Sequence, residues 1–188
     1  VEWLQKHRPT PTLSGWETPL LAEIAGELGD LPLALHMAGS YLHLLSPDLS
    51  PQHYLRELRR HDLLDHESMQ SGDFTPTGHE LHVARTFALS LRQLQHDNEI
   101  DAQALRLLAT AALLAPGETM PRLLLRTAAG LADEEQNTQA ARALRRLLDL
   151  GLLEEDANDD LRLHRLLCQF VAKELQSDLP AILPAVES

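Results

Sequence analysis

Helix-starting and helix-stopping residues punctuate this chain from end to end, and they restrict it to short, capped helices. Thr18 with Pro19 opens the first helix and Gly29 closes it, with Leu20, Leu21, Ile24 and Leu28 at helical spacing. Asp30 reads as the cap of a second helix through Pro32, Leu33, Leu35, Ala38 and Leu42, which ends before Ser46-Pro47. Ser50-Pro51 opens a third, carrying Tyr54, Leu55 and Leu58 to about Arg60. Residues 61–79 show turn chemistry without period and read as a surface connection. A long helix is expected from Glu80 to Gln95, with Val83, Phe87, Leu91 and Leu94 inward, broken by His96-Asp97-Asn98.

The second half has its own order. Asp101 reads as the cap of a Leu- and Ala-rich helix that ends at Ala115-Pro116-Gly117. Pro121 starts a short helix that stops at Gly130, and a third runs from about Thr138 to Leu150, stopped by Gly151. Two extended runs, 152–155 and 161–163, flank the turn cluster Asp156-Ala157-Asn158-Asp159-Asp160. A last helix, about Arg165 to Gln176, should bury Leu166, Leu167, Phe170, Val171 and Leu175. Three helices, a hairpin and a closing helix make a winged helix. The fold class expected is therefore mainly α: a four-helix-type bundle followed by a winged-helix domain whose one small β-hairpin is its only strand structure. Composition agrees, because 44% of the 188 residues are hydrophobic but only 4% are aromatic, so Leu and Ala supply the core. The expected division is a linker at 1–17, a helical domain at 18–96, the winged helix at 97–176, and a C-terminal linker at 177–188 leading to a sensor repeat domain.

Charge and cysteine usage narrow the function. There are 28 acids against 16 bases, a net charge of -12, which repels nucleic acid and anionic lipid. The single Cys168 excludes an internal disulfide and fits a reducing, cytoplasmic setting. No stretch approaches the roughly 18 apolar residues of a membrane span. The first residue is Val, so the chain is expected to be a piece of something longer.

The segment Leu28-Gly29-Asp30-Leu31-Pro32-Leu33-Ala34-Leu35 resembles the GLPLAL motif of the NB-ARC group of STAND signalling ATPases, with Asp30 where Gly is usual. Leu163-His164-Arg165 stands where that family carries Met-His-Asp, with Leu163 for Met and Arg165 for Asp. The resemblance spans about residues 18 to 176. It implies the helical and winged-helix region between a nucleotide domain and a sensor. It further implies ADP or ATP as cofactor, with magnesium held only by a P-loop domain outside this chain. The partners implied are that P-loop domain, a C-terminal repeat sensor and, on activation, further copies of the protein. No G-x-x-x-x-G-K-[ST] and no apolar strand ending in paired acids occur, so this region is expected not to be an enzyme by itself. In the family, the turn matching Leu31, Pro32 and Leu33 packs on adenine, and the residue matching His164 reaches the β-phosphate of ADP. Arg165 would attract the same phosphates or pair with an acid of the absent domain.

Other features have plainer readings. His79 and His82 with Glu80 have a spacing that suits a metal if they share one helical turn, but solvated or capping roles fit better. His61 with His66 lies in the loop, His36 and His43 lie on a helix face, and Cys168 reads as a buried thiol. One rival function is a winged-helix DNA-binding regulator, suggested by Arg142, Arg145 and Arg146 on the third helix. Against it stand the acids of the wing and a count over 101–176 of nine bases against twelve acids. Another rival is a helical protein-interaction adaptor.

Overall fold

A computed structural model describes residues 17–45, 48–60, 78–114, 116–132 and 137–174. The expectations for residues 1–16 of the N-terminal linker, for residues 61–77 of the 61–79 connection with His61 and His66, and for the C-terminal tail lie outside the described residues. So do the side chains of Thr18 and His79. Gly78 and His79, expected in the connection, are already helical. Among the described residues the chain is mainly helical, with eight helices and a small three-stranded antiparallel sheet. It divides into two compact units, Val1–Leu91 and Arg92–Ser188. The boundary expected from sequence fell after residue 96.

The first unit holds α1 (Glu17–Glu27), α2 (Pro32–Leu44), α3 (Pro51–Leu58) and α4 (Gly78–Leu91). Leu21, Ile24, Leu28, Met37, Leu42, Tyr54 and Phe87 form its core. Apolar burial of this kind is the main stabilising term. α2 packs on α4, while α3 packs on both α1 and α4. Ser50 caps α3, its hydroxyl accepting the His53 N–H at 3.2 Å. Just past that helix, Arg59 donates to Glu27 at 2.6 and 2.8 Å and to Glu23 at 2.7 Å, tying α3 to α1. α4 ends at Leu91, so the helix expected to Gln95 is shorter. The reason is tertiary: the Gln93 carbonyl and the Gln95 N–H are taken by Arg146 and Asp101, which withdraws them from a helical ladder. Val83, Phe87 and Leu94 are buried as expected, Leu94 within the second unit and past the end of the helix, whereas Leu91 is half-buried.

The second unit runs α5 (Glu99–Leu114), β1 (Thr119–Met120), α6 (Arg122–Ala128), α7 (Asn137–Asp149), β2 (Glu154–Glu155), β3 (Leu161–Arg162) and α8 (Arg165–Glu174). α5 is the hub, packing against α6, α7 and α8. Its cap is Asn98, whose Oδ1 accepts the N–H groups of Ile100 and Asp101 at 3.0 and 3.2 Å; Asp101 is not the cap. α6 and α7 end in the same motif, with Gly130 at φ +66 and Gly151 at φ +68. There the N–H groups of Leu131 and Leu152 reach back to the carbonyls of Arg126 and Leu147.

The sheet differs from the lone hairpin expected. β3 is central, pairing Arg162 with Thr119 on one side and with Glu154 on the other. The third strand arises because Gly117, at φ +83, turns the chain back and donates its N–H to the Leu163 carbonyl at 3.1 Å. That turn carries Met120, 1% exposed, into the core. Leu152 and Leu153 are buried but not in the ladder, since their N–H groups go to Leu147. Asp156 closes the hairpin turn, its Oδ1 accepting the N–H groups of Asn158 and Asp160.

Candidate functional site

The two motif segments fall in different units, and each unit brings its own residues together. In the first unit, α1 stops in a glycine-dependent cap. Gly29 has φ +63 and donates to the Gly26 carbonyl, while the Asp30 N–H reaches Ala25, both at 3.0 Å. Asp30 also has a positive φ of +53. Asp30 is thus left-handed, a conformation Asp tolerates better than most residues. Asp30 is therefore not the cap of α2. The N-cap is Leu31, at φ -73 and ψ 125, with no side-chain cap and with Pro32 in the first turn. Pro32 is exposed, and Leu31 and Leu33 are half-buried. Pro32 has no N–H to leave unpaired and a fixed φ, so this helix start is a rigid, apolar, solvent-facing edge.

His82 supports that turn. A Cβ built on Gly29 would lie 3.3 Å from the His82 Cδ2, so the imidazole rests on the glycine backbone. The His82 Nδ1 is buried without a hydrogen-bond partner. Among the described residues no group of three or more His, Cys, Asp or Glu is placed to hold a metal ion.

In the second unit, Leu163 is buried, His164 half-buried and Arg165 exposed. His164 immediately precedes α8 and caps it. Its carbonyl accepts the Leu167 N–H at 2.8 Å, and its ring Nδ1 accepts the Leu166 N–H at 3.2 Å. This bond assigns the tautomer: a ring whose Nδ1 accepts carries its proton on Nε2, leaving Nε2–H as the donor. Leu166 is half-buried and not in the core as expected. Leu167, Phe170 and Val171 are buried as expected.

Little in the sequence signals what packs against the start of α8. Gly117 was legible only as a helix stop. In the structure a Cβ on it would meet the Arg165 Cβ at 3.0 Å, so the Pro116-Gly117 turn lies directly against the start of α8. Beneath sits Cys168, 6% exposed, with its Sγ 3.6 Å from the His164 carbonyl. Burial pushes the Cys168 thiol up, and the Gly117 N–H opposes that shift. A thiol held protonated in this way is a weak nucleophile at neutral pH.

The three arginines of α7 have separate fates. Arg146 is drawn inside, its Nε 3.3 Å from Asp101 Oδ1 and its Nη2 donating to the Gln93 carbonyl at 3.0 Å. Arg145 pairs with Asp149 at 2.9 Å, and Arg142 is exposed. In the hairpin, Arg162 pairs with Glu154, and Arg122 of α6 with Glu155. No described helix is long and apolar enough to cross a membrane. No protein-family model matches this chain, and no curated protein matches it.

Proposed function

We propose that this chain is the regulatory region of a STAND-type nucleotide switch, a helical domain followed by a winged helix that together hold an ADP-bound off state. The observation that carries the reading is His164, at the strand-to-helix junction, with its ring oriented by the Leu166 N–H and an Nε2–H donor. A pre-oriented donor at a half-exposed position suits a phosphate oxygen, because little rotamer entropy remains to be lost. The exposed Arg165 beside it adds positive charge. Pro32, with Leu31 and Leu33, offers the flat apolar edge that a purine base stacks on.

The order helix, strand, helix, helix, strand, strand, with the last strand central, supports the winged-helix assignment of the second unit. Four helices with a shared core support a bundle in the first. Bound ADP supplies the phosphate charge. The residues of this chain position the base edge and donate one hydrogen bond, while the phosphate cradle and magnesium belong to the P-loop domain. A charge-assisted bond of this kind contributes about 1.5–3 kcal/mol, which biases a closed over an open state about 10- to 100-fold. The DNA-binding reading is weaker, because Arg146 is committed internally and the wing's acids are only partly neutralised by Arg122 and Arg162.

The test separates capping from latching. In the parent chain carrying the P-loop domain, His164→Ala removes both the Leu166 cap and the Nε2 donor, whereas His164→Asn keeps an acceptor for the cap. Both variants should release fluorescent ADP about 10- to 100-fold faster, and only the alanine variant should lower the melting midpoint measurably. An unchanged off-rate in both, with stability lost in the alanine variant alone, makes His164 a helix cap and nothing more.

A further inference from the structure

α1, α6 and α7 each stop at a left-handed glycine: Gly29, Gly130 and Gly151. α4 stops at Leu91 without one. The next four residues, Arg92-Gln93-Leu94-Gln95, are all good helix formers, and no Gly, Pro or Asn occurs before Asn98. The apolar period also carries on, because Phe87, Leu91 and Leu94 are spaced as one helix face. Local preference and structure therefore disagree over one turn. That turn begins where the chain divides into its two compact units, after Leu91. Where local and tertiary preferences conflict in a natural chain, the site is commonly strained or functional.

Contacts from farther along the chain impose the stop. The Arg146 guanidinium donates to the Gln93 carbonyl at 3.0 Å, and its Nε lies 3.3 Å from Asp101 Oδ1. Asp101 Oδ2 accepts the Gln95 N–H at 3.1 Å. This last bond is the one in competition. In a continued α4 the same N–H would donate to the Leu91 carbonyl four residues back, and one donor does not serve both. Leu94, 6% exposed, is held in the second unit. In a continued helix it would join the stripe of Phe87 and Leu91, and the half-buried Leu91 leaves apolar surface there still to cover. Adding a turn to an existing helix needs no nucleation. The clamp wins in the structure because an almost buried carboxylate left unanswered is costly. Its accessible half is Arg146, whose side chain is 29% exposed against 10% for Asp101.

We infer that residues 92–95 are a two-state connector. Clamped by Arg146 and Asp101, they form the turn seen in the structure. Released, they continue α4 by one turn, about 6 Å of helix, and the Gln95 N–H passes from Asp101 to the Leu91 carbonyl. The two arrangements exclude each other, so whatever draws Arg146 and Asp101 off the segment lengthens α4. The connector does not depend on the nucleotide reading.

The test uses the full 188-residue protein and its backbone NMR shifts. An Asp101→Ala, Arg146→Met double variant removes both charges together, so neither is left buried and unpaired, and methionine keeps the apolar stem in place. Its residues 92–95 should take α-carbon shifts like those within α4, with a new Overhauser contact from the Leu91 Hα to the Leu94 amide. Asp101→Ala alone removes the acceptor of the Gln95 N–H and leaves the part-exposed Arg146 to water and the Gln93 carbonyl. Its shifts should lie between those of the parent and the double variant. The shifts of β3 report whether the second unit is folded, and if the double variant unfolds it, the single variant decides. Parental shifts at 92–95 in a folded variant overturn the inference. So do shifts that fall to random-coil values, since the clamp would then only tether a loop.

Discussion

In the second unit Asp101, 7% exposed, is met by the Arg146 guanidinium at 3.3 Å and by the Gln95 N–H at 3.1 Å. In the first unit Ser90, wholly buried, keeps a hydroxyl with no partner, and the His82 Nδ1 is likewise unanswered. The second unit has orphans too, Gln103 Oε1 and Arg106 Nε, on side chains half-buried like that of His82. The contrast teaches which buried groups a fold must answer. An unpaired carboxylate in a core costs several kcal/mol, so the second unit builds a clamp around it that also fixes residues 93–95. An unpaired hydroxyl costs about 1–3 kcal/mol, which a small helical unit survives with less margin.

The sharpest way to break that contrast is to remove the clamp. Arg146→Ala should destabilise the second unit by about 2–3 kcal/mol, below the value for a fully buried pair because Arg146 keeps 29% of its side chain exposed. Arg59→Ala, in the first unit, removes three hydrogen bonds from an exposed guanidinium and should leave the melting curve unchanged. Chemical denaturation followed on each variant checks both. Equal losses would show that the Asp101 cluster is no more than a surface pair.

Next in size are the two glycines that set the motif turns. Gly117→Ala meets the Arg165 Cβ at 3.0 Å with φ at +83 and should cost about 2–3 kcal/mol. Gly29→Ala meets the edge of the His82 ring at 3.3 Å with φ at +63. A ring edge gives way more easily than a Cβ anchored to backbone, so about 1–2 kcal/mol is expected there. Thermal unfolding of both variants tests the order. If Gly29→Ala proves the costlier, His82 is held more rigidly than its unpaired Nδ1 suggests.

Sequence made the helices legible because their stops are chemical: Gly29, Gly130 and Gly151 each close a helix in the left-handed conformation. Local chemistry misleads where distant groups compete for the same backbone. Asp30 and Asp101 have the right side chain for a cap. One is instead taken by a left-handed turn, and the other is recruited by Gln95 and Arg146. The strand at Thr119–Met120 was invisible because two residues carry no period, and its pairing depends on Gly117 meeting Leu163 across 46 residues of chain. At the candidate site the residue types were legible, but the bond from Leu166 to His164 Nδ1, which assigns the tautomer, exists only in the folded backbone.

A smaller effect of opposite sign comes from the first unit's unanswered hydroxyl. Ser90→Ala removes a polar atom that finds no partner and leaves a methyl in a core position that is wholly buried. Alanine is also the better helix former, so a gain of about 1 kcal/mol is expected by thermal denaturation. A loss would mean that an internal water, bound to Ser90, answers the hydroxyl.

The smallest effect tests the left-handed Asp30 itself. Asp30→Gly relieves a conformation that costs an L-residue about 1–2 kcal/mol. Two terms oppose the relief. Glycine loses about 0.5–1 kcal/mol more conformational entropy on folding, and a carboxylate just before the N-terminus of α2 contributes a few tenths through the helix dipole. The net expectation is a gain of about 0.5 kcal/mol that grows at high salt, where the dipole contribution is screened. Asp30→Asn separates the terms, since it keeps a side chain that tolerates positive φ and removes only the charge. It should change stability by less than the glycine variant, with its difference from Asp vanishing as salt is raised. If Asp30→Gly instead lowers stability at every ionic strength, the aspartate side chain holds the turn by a contact of its own, and the position is not one where glycine would serve equally well.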